Sequence, residues 1–194
     1  MIPPDFIFLA LCFNILGTAL YLRKALRNEV QPHLVSFIIW ALAPLLAFAA
    51  QVAKGVGLVS LATLVVGVNP AIILLVSLRH PEAHWSVSKF DVACGIISLG
   101  GLLAWWHFRD ATYAIALAIV SDALASLPTY RKSLSNPESE SPVLYACTGI
   151  SAGIALLTIH AWQFDRYAFA AYLLATSLSL TLILVISGAR RRED

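Results

Sequence analysis

Four side chains able to do chemistry sit inside otherwise apolar stretches: Asn14 in LCFNILG, Asn69 in GVNPAI, Asp122 in AIVSDALA and Ser177 in ATSLS. An Asp at the centre of a membrane helix costs roughly 3 kcal/mol unless a partner or water meets it, so such a group is a candidate for a solute pathway. Asp122 has no Lys or Arg within two helical turns. It could hold a proton or cation, accept a hydrogen bond from a solute, or bond a neighbouring helix. Trp40 could stack on a ligand ring or anchor its helix at the headgroup layer. Asn69 precedes Pro70, whose missing N–H frees a carbonyl that a cavity or a neighbouring helix must satisfy. Pro128, near one end of its apolar run, is placed to act as a hinge, as is Pro70. Thr18, Gln51, Ser126 and Tyr172 are further polar positions, expected to bond across helices.

Other chemistries lack their residues. The sequence has no HExxH, no GxSxG, no Walker loop, no paired carboxylates and no Ser/Lys dyad, so it is read as a non-enzyme without a cofactor. His33, His80 and His84 fall in connecting segments and His107 and His160 at helix ends, without the spacing of a metal site. Cys12, Cys94 and Cys147 lie in apolar segments with no CxxC, which predicts three small buried hydrophobes.

The elements that must position these residues follow from composition. Of 194 residues 59% are hydrophobic and 12% charged, about half the charged share of a soluble domain, so the expected partner is the lipid bilayer. A net charge of +2 argues against nucleic acid. Apolar runs recur at 4–22, 34–52, 57–78, 90–106, 111–130, 142–160 and 167–187, with charged, Pro, Gly or Asn breaks between them. At about 20 residues per crossing this predicts an all-α integral membrane protein of seven helices. The first run has no basic segment before it and is read as a helix rather than a leader. Trp85, Trp105, Trp106 and Trp162 fall near run ends, as interfacial belt residues do.

Basic residues set the orientation. Arg23, Lys24, Arg27, Arg79, Lys89, Arg131, Lys132, Arg190, Arg191 and Arg192 fall on one side of a seven-crossing chain; Lys54, Arg109 and Arg166 fall on the other. Ten against three predicts the N-terminus outside and the C-terminus in the cytoplasm, in a bacterial inner membrane.

An internal repeat joins the polar residues in pairs. NILGTALYLRKALRN (Asn14–Asn28) aligns without a gap on DALASLPTYRKSLSN (Asp122–Asn136), superposing Arg23-Lys24 on Arg131-Lys132 and Asn28 on Asn136. The same offset of 108 residues pairs Asn14 with Asp122 and Asn69 with Ser177. Each copy runs into a Pro-bearing loop, VQPHL or SESPV, and two more helices. The chain therefore divides into a three-helix repeat (1–84), a linker helix (85–110) and a second repeat with a basic tail (111–194). One linker helix makes the repeats parallel.

This 3+1+3 arrangement resembles the PQ-loop and SWEET class of small membrane transporters. The local likeness is SLPTYRKSLSNPESESP (Ser126–Pro142), a helix-end Pro followed by a basic cluster and a polar loop; Thr129 stands where the signature has Gln, and the first copy has Leu20-Tyr21 there. Asn69 resembles the third-helix Asn that lines the solute site in that class, with Ser177 at the position of its mate. The resemblance implies a transporter or facilitator for a sugar, vitamin or similar small molecule, working by alternating access. The competing expectation is a binding, receptor-like or assembly protein built on the same bundle. A second copy of the chain is a further candidate partner.

Overall fold

The computed structural model describes residues 1–78, 88–108 and 111–193. Within them the chain forms seven α-helices and two single 3-10 turns: α1 (Ile7–Leu26), α2 (Leu34–Ala53), α3 (Val59–Ser77), α4 (Lys89–Phe108), α5 (Ala111–Ser135), α6 (Pro142–Leu157) and α7 (Phe164–Glu193). The apolar runs predict all seven. α1 and α5 extend one turn further into their basic clusters, and α7 continues through the arginines to Glu193. Lys and Arg are good helix formers and suit a helix C-terminus, so the helix outlasts the apolar stretch.

Among the described residues, five helices are long and apolar enough to cross a membrane: α1, α2, α3, α5 and α7. α6 is apolar, but its 16 residues reach only about 24 Å, short of the roughly 30 Å hydrocarbon core. Arg79, His80, His84, Trp85, Arg109 and Asp110 lie outside the described residues, as do the side chains of Trp105, Trp106, His107 and Arg190–Arg192.

The packing is assembled from small residues. α1 buries Ile7, Ala10, Asn14, Gly17, Tyr21 and Ala25, one stripe recurring every three or four positions. Gly17 on that stripe brings α1 against α6 so closely that a Cβ there would stand 2.6 Å from the Cβ of Cys147. α2 meets α5 through Ala43, Ala47 and Ala50 facing Ala114, Ala118 and Ala125, spacings of three to seven that let two backbones approach. α3 packs on α1 and α2, α7 on α5 and α6, and α4 on α5 with a lesser contact to α2. Large apolar side chains such as Leu16, Leu75, Ile96, Leu103, Leu182 and Val185 are turned outward, while Asn14, Ser36, Gln51, Asp122 and Thr129 are buried. That inversion suits a hydrocarbon surround.

Cys12 departs from expectation: it is exposed, whereas Cys94 and Cys147 are buried. Apolar composition places a residue in a helix but not on a face of it. Cys12 lies off the buried stripe of α1.

The described α1–α2 and α5–α6 connections lie at one end of the bundle, and the α2–α3 and α6–α7 connections at the other. The α1–α2 and α5–α6 loops meet where the Gln31 N–H donates to the Ser139 carbonyl at 2.9 Å. At the other end the Ile2 N–H donates to the Leu157 carbonyl, and the Gln51 amide donates to the Asp165 carbonyl. Asn28 closes α1 with φ of 57°, the left-handed conformation that Asn tolerates better than other side chains.

Candidate functional site

Asn14, Trp40, Asn69, Asp122 and Ser177 all line one cavity of about 70 Å³, and Pro70 lines it with them. They come from α1, α2, α3, α5 and α7; α6 closes the ring with Leu144, Tyr145 and Thr148. Pro128, buried inside α5, is not among the lining residues.

The polar groups of the cavity are partly spent on one another. Asn69 Nδ2 donates to Asn14 Oδ1 at 2.5 Å and lies 3.4 Å from the Asn14 carbonyl. Thr18 donates back to that carbonyl at 3.0 Å. With its oxygen so used, the Asn14 Nδ2 group is fully buried and has no hydrogen-bond partner. Asp122, 2% exposed, accepts a hydrogen bond from the Tyr172 hydroxyl at 2.6 Å. Among the described lining residues it is the one acidic side chain, and none is Lys, Arg or His. Asp122, with a carboxyl acceptor, and Asn14, with an unpaired amide N–H, both belong to the lining of this one small space.

Trp40 sits inside the bundle rather than at a helix end. Its ring lies edge-on to Phe37, with centroids 5.3 Å apart, and to Tyr145 at 6.2 Å. The indole N–H points to Ser126 Oγ at 3.2 Å, and that hydroxyl in turn donates to the Asp122 carbonyl. Ser126, accepting from Trp40, and Tyr172, donating to Asp122, bond across helices as expected, whereas the Thr18 hydroxyl bonds within its own helix.

Below the cavity, toward the paired loops, lies a cluster that residue types alone do not pick out. Glu140, at the end of the α5–α6 loop, is 3% exposed. Its carboxylate accepts from Tyr21 at 3.1 Å, from Tyr145 at 3.2 Å and from the Lys132 ammonium at 3.0 Å. Lys132 also donates to the Gln31 carbonyl, which ties the two loops a second time. The 108-residue offset pairs Glu140 with Pro32, so repeat matching passes it over. It does pair Phe37 with Tyr145, and that match is the signal that could have found those two cavity aromatics.

On the opposite flank α2, α4 and α5 are joined by a thinner chain. His33 Nε2 lies 3.3 Å from the Asp91 carboxylate, Ser36 donates to the Ala125 carbonyl, and Thr129 donates to Ser36. Burial holds the His33 imidazole below its usual value, outweighing the upward pull of Asp91.

A second, smaller hollow of about 10 Å³, room for a single water, lies toward the other end of the bundle between Gln51, Thr63, Ser151 and Arg166. Val66 and Leu173 line both hollows and stand between them.

Comparison with known protein families, with curated proteins and with solved structures finds no match to this chain.

Proposed function

We propose that the chain is a small-solute transporter or facilitator of the PQ-loop and SWEET type. In this reading it crosses a bacterial inner membrane seven times, N-terminus outside, as two parallel three-helix repeats (1–84 and 111–194) around the linker 85–110. One observation carries the proposal: two pairs related by the 108-residue offset, Asn14 with Asp122 and Asn69 with Ser177, come from both halves of the chain to one cavity. Repeat-related polar groups around a shared space are what alternating access about a central solute site requires.

The helix contacts support the same reading. α1 lies on α6 as α5 lies on α2, and α3 bridges α1 and α2 as α7 bridges α5 and α6. Exchanging the two triplets reproduces the set. The halves meet along the α1–α6 and α2–α5 seams, which carry the small residues at one level and the Glu140 and His33 clusters at another. Opening toward the paired loops would part those clusters, and closure at the other end would be made by Val66 and Leu173. Pro70 and Pro128 are the positions at which α3 and α5 would bend.

The test is flux. Reconstituted protein should carry a labelled solute across a vesicle membrane, and Asp122→Asn or Asn69→Ala should abolish it with the fold intact. A second reading, a non-transporting binding or assembly protein, is favoured by the bonds that Asn14, Asn69, Asp122 and Trp40 already make within the bundle. Solute binding without flux, or co-purification with a partner protein, would decide for it.

A further inference from the structure

We infer that the cavity takes a short amino alcohol, a cation of about four heavy atoms carrying a hydroxyl oxygen besides its ammonium. The inference takes the site of the transport reading as given and specifies what it recognises.

Size comes first. A cavity of about 150 Å³ accommodates the six carbons of benzene, so about 70 Å³ suits a solute of roughly three or four heavy atoms. A hexose, with twelve, does not fit this conformation. Charge comes second. Asp122 is the lone acidic group in the described lining and has no basic residue beside it there, so a bound cation supplies the missing counter-charge. The rings of Trp40, Phe37 and Tyr145 line the same space, and an aromatic ring attracts an organic ammonium that meets its face where water is scarce.

The third requirement comes from Asn14. Asn14 lines the cavity, and its Nδ2 group is fully buried and donates to nothing in the protein. Relieving it within the protein would require turning both amides, which would set the Asn69 oxygen 3.4 Å from the Asn14 backbone carbonyl and leave the Asn14 oxygen in the place of the unpaired donor. A buried donor without a partner is costly, and a ligand oxygen would satisfy it. A plain alkylammonium has no such oxygen. A diol has the oxygen but no charge. An amino alcohol has both, joined by methylene groups that suit the aromatic wall.

Three probes separate these terms on the intact protein in detergent: ethanolamine, ethylammonium and ethylene glycol, titrated by calorimetry. Ethanolamine should bind at least about tenfold more tightly than either of the others, the loss of one charge-assisted or one buried hydrogen bond being worth about that factor. Asp122→Asn should remove the preference for ethanolamine over ethylene glycol. Ethylene glycol or ethylammonium binding as tightly as ethanolamine, or no ethanolamine binding at all, overturns the inference, and the probe comparison holds even where the Asp122 variant fails to fold. Flux is scored separately. Ethanolamine binding without uptake leaves this inference standing and removes transport; uptake of another solute without ethanolamine binding does the reverse.

Discussion

Tyr21 on α1 donates its hydroxyl hydrogen to the Glu140 carboxylate at the foot of α6, 119 residues further along the chain. That bond crosses the seam between the two halves, and Tyr145, the third member, also lines the cavity. A buried carboxylate with three donors is stable only while the donors stay in place. Tyr21→Phe should therefore cost about 1.5–3 kcal/mol, read as a drop of several degrees in the melting midpoint. Combined with Glu140→Gln, the two losses should be non-additive by about 1 kcal/mol. Strict additivity would show that the two groups do not meet.

His33 gives a pH dependence of definite sign. Burial lowers its folded-state value below the ordinary 6.5. As pH falls below 6.5 the unfolded chain binds the proton first, so stability is full above that pH and is lost as acidification proceeds through the folded value. The melting midpoint should drop as pH falls below 6.5, with a shallower slope in His33→Gln. Asp91, Lys132 and Glu140 act on the ring as well, so the diagnostic quantity is the difference between the two slopes. Parallel slopes would remove His33 from the account.

Gly17 tests the α1–α6 seam. An alanine there would set its Cβ 2.6 Å from that of Cys147, closer than two such atoms can stand, and neither can rotate away. The helices must separate, at a cost of about 1–3 kcal/mol. Gly17→Ala should lower the melting midpoint, and adding Cys147→Gly should recover part of it. An unchanged midpoint in Gly17→Ala would mean that the seam is looser than described.

The three thiols should differ in reactivity. Cys12 faces outward, while Cys94 and Cys147 are buried. A membrane-permeant maleimide should modify Cys12 in the folded protein and reach Cys147 only after denaturation. Peptide mapping after a brief exposure reads the order. Cys147 reacting first would contradict the packing of α1 on α6.

Orientation has its own check. Reporter domains fused to Met1 and to Asp194 should lie on opposite faces of the membrane, with the C-terminal reporter in the cytoplasm. Both on one face would break the odd number of crossings, and the parallel repeats with it.

Much of the helix content is legible in the sequence because hydropathy runs and their Pro, Gly and charged breaks mark where a helix can persist. The cavity residues are legible for a different reason. Asn14, Asn69 and Asp122 are costly in hydrocarbon, so each had to face inward, and the repeat offset pointed to their mates. Facing is where this reasoning stops. Cys12 lies in as apolar a segment as Cys147 yet points the other way, since no periodic signal is strong in a helix that is apolar all round. Glu140 is hidden for the opposite reason: a carboxylate in a polar loop looks solvated, and only the three-dimensional approach of Tyr21, Tyr145 and Lys132 reveals its burial. Pro128 stands near the end of its run in the chain, but the cavity forms one to two turns away along α5.

Val66 and Leu173, shared by both hollows, contribute only hydrocarbon between them. In the transport reading, such a septum gives a bare ion nothing to replace its hydration shell, so dehydration opposes electrical leakage through the resting bundle. Narrowing these two side chains to alanine would wet the septum, and the bilayer's insulation would fail there first.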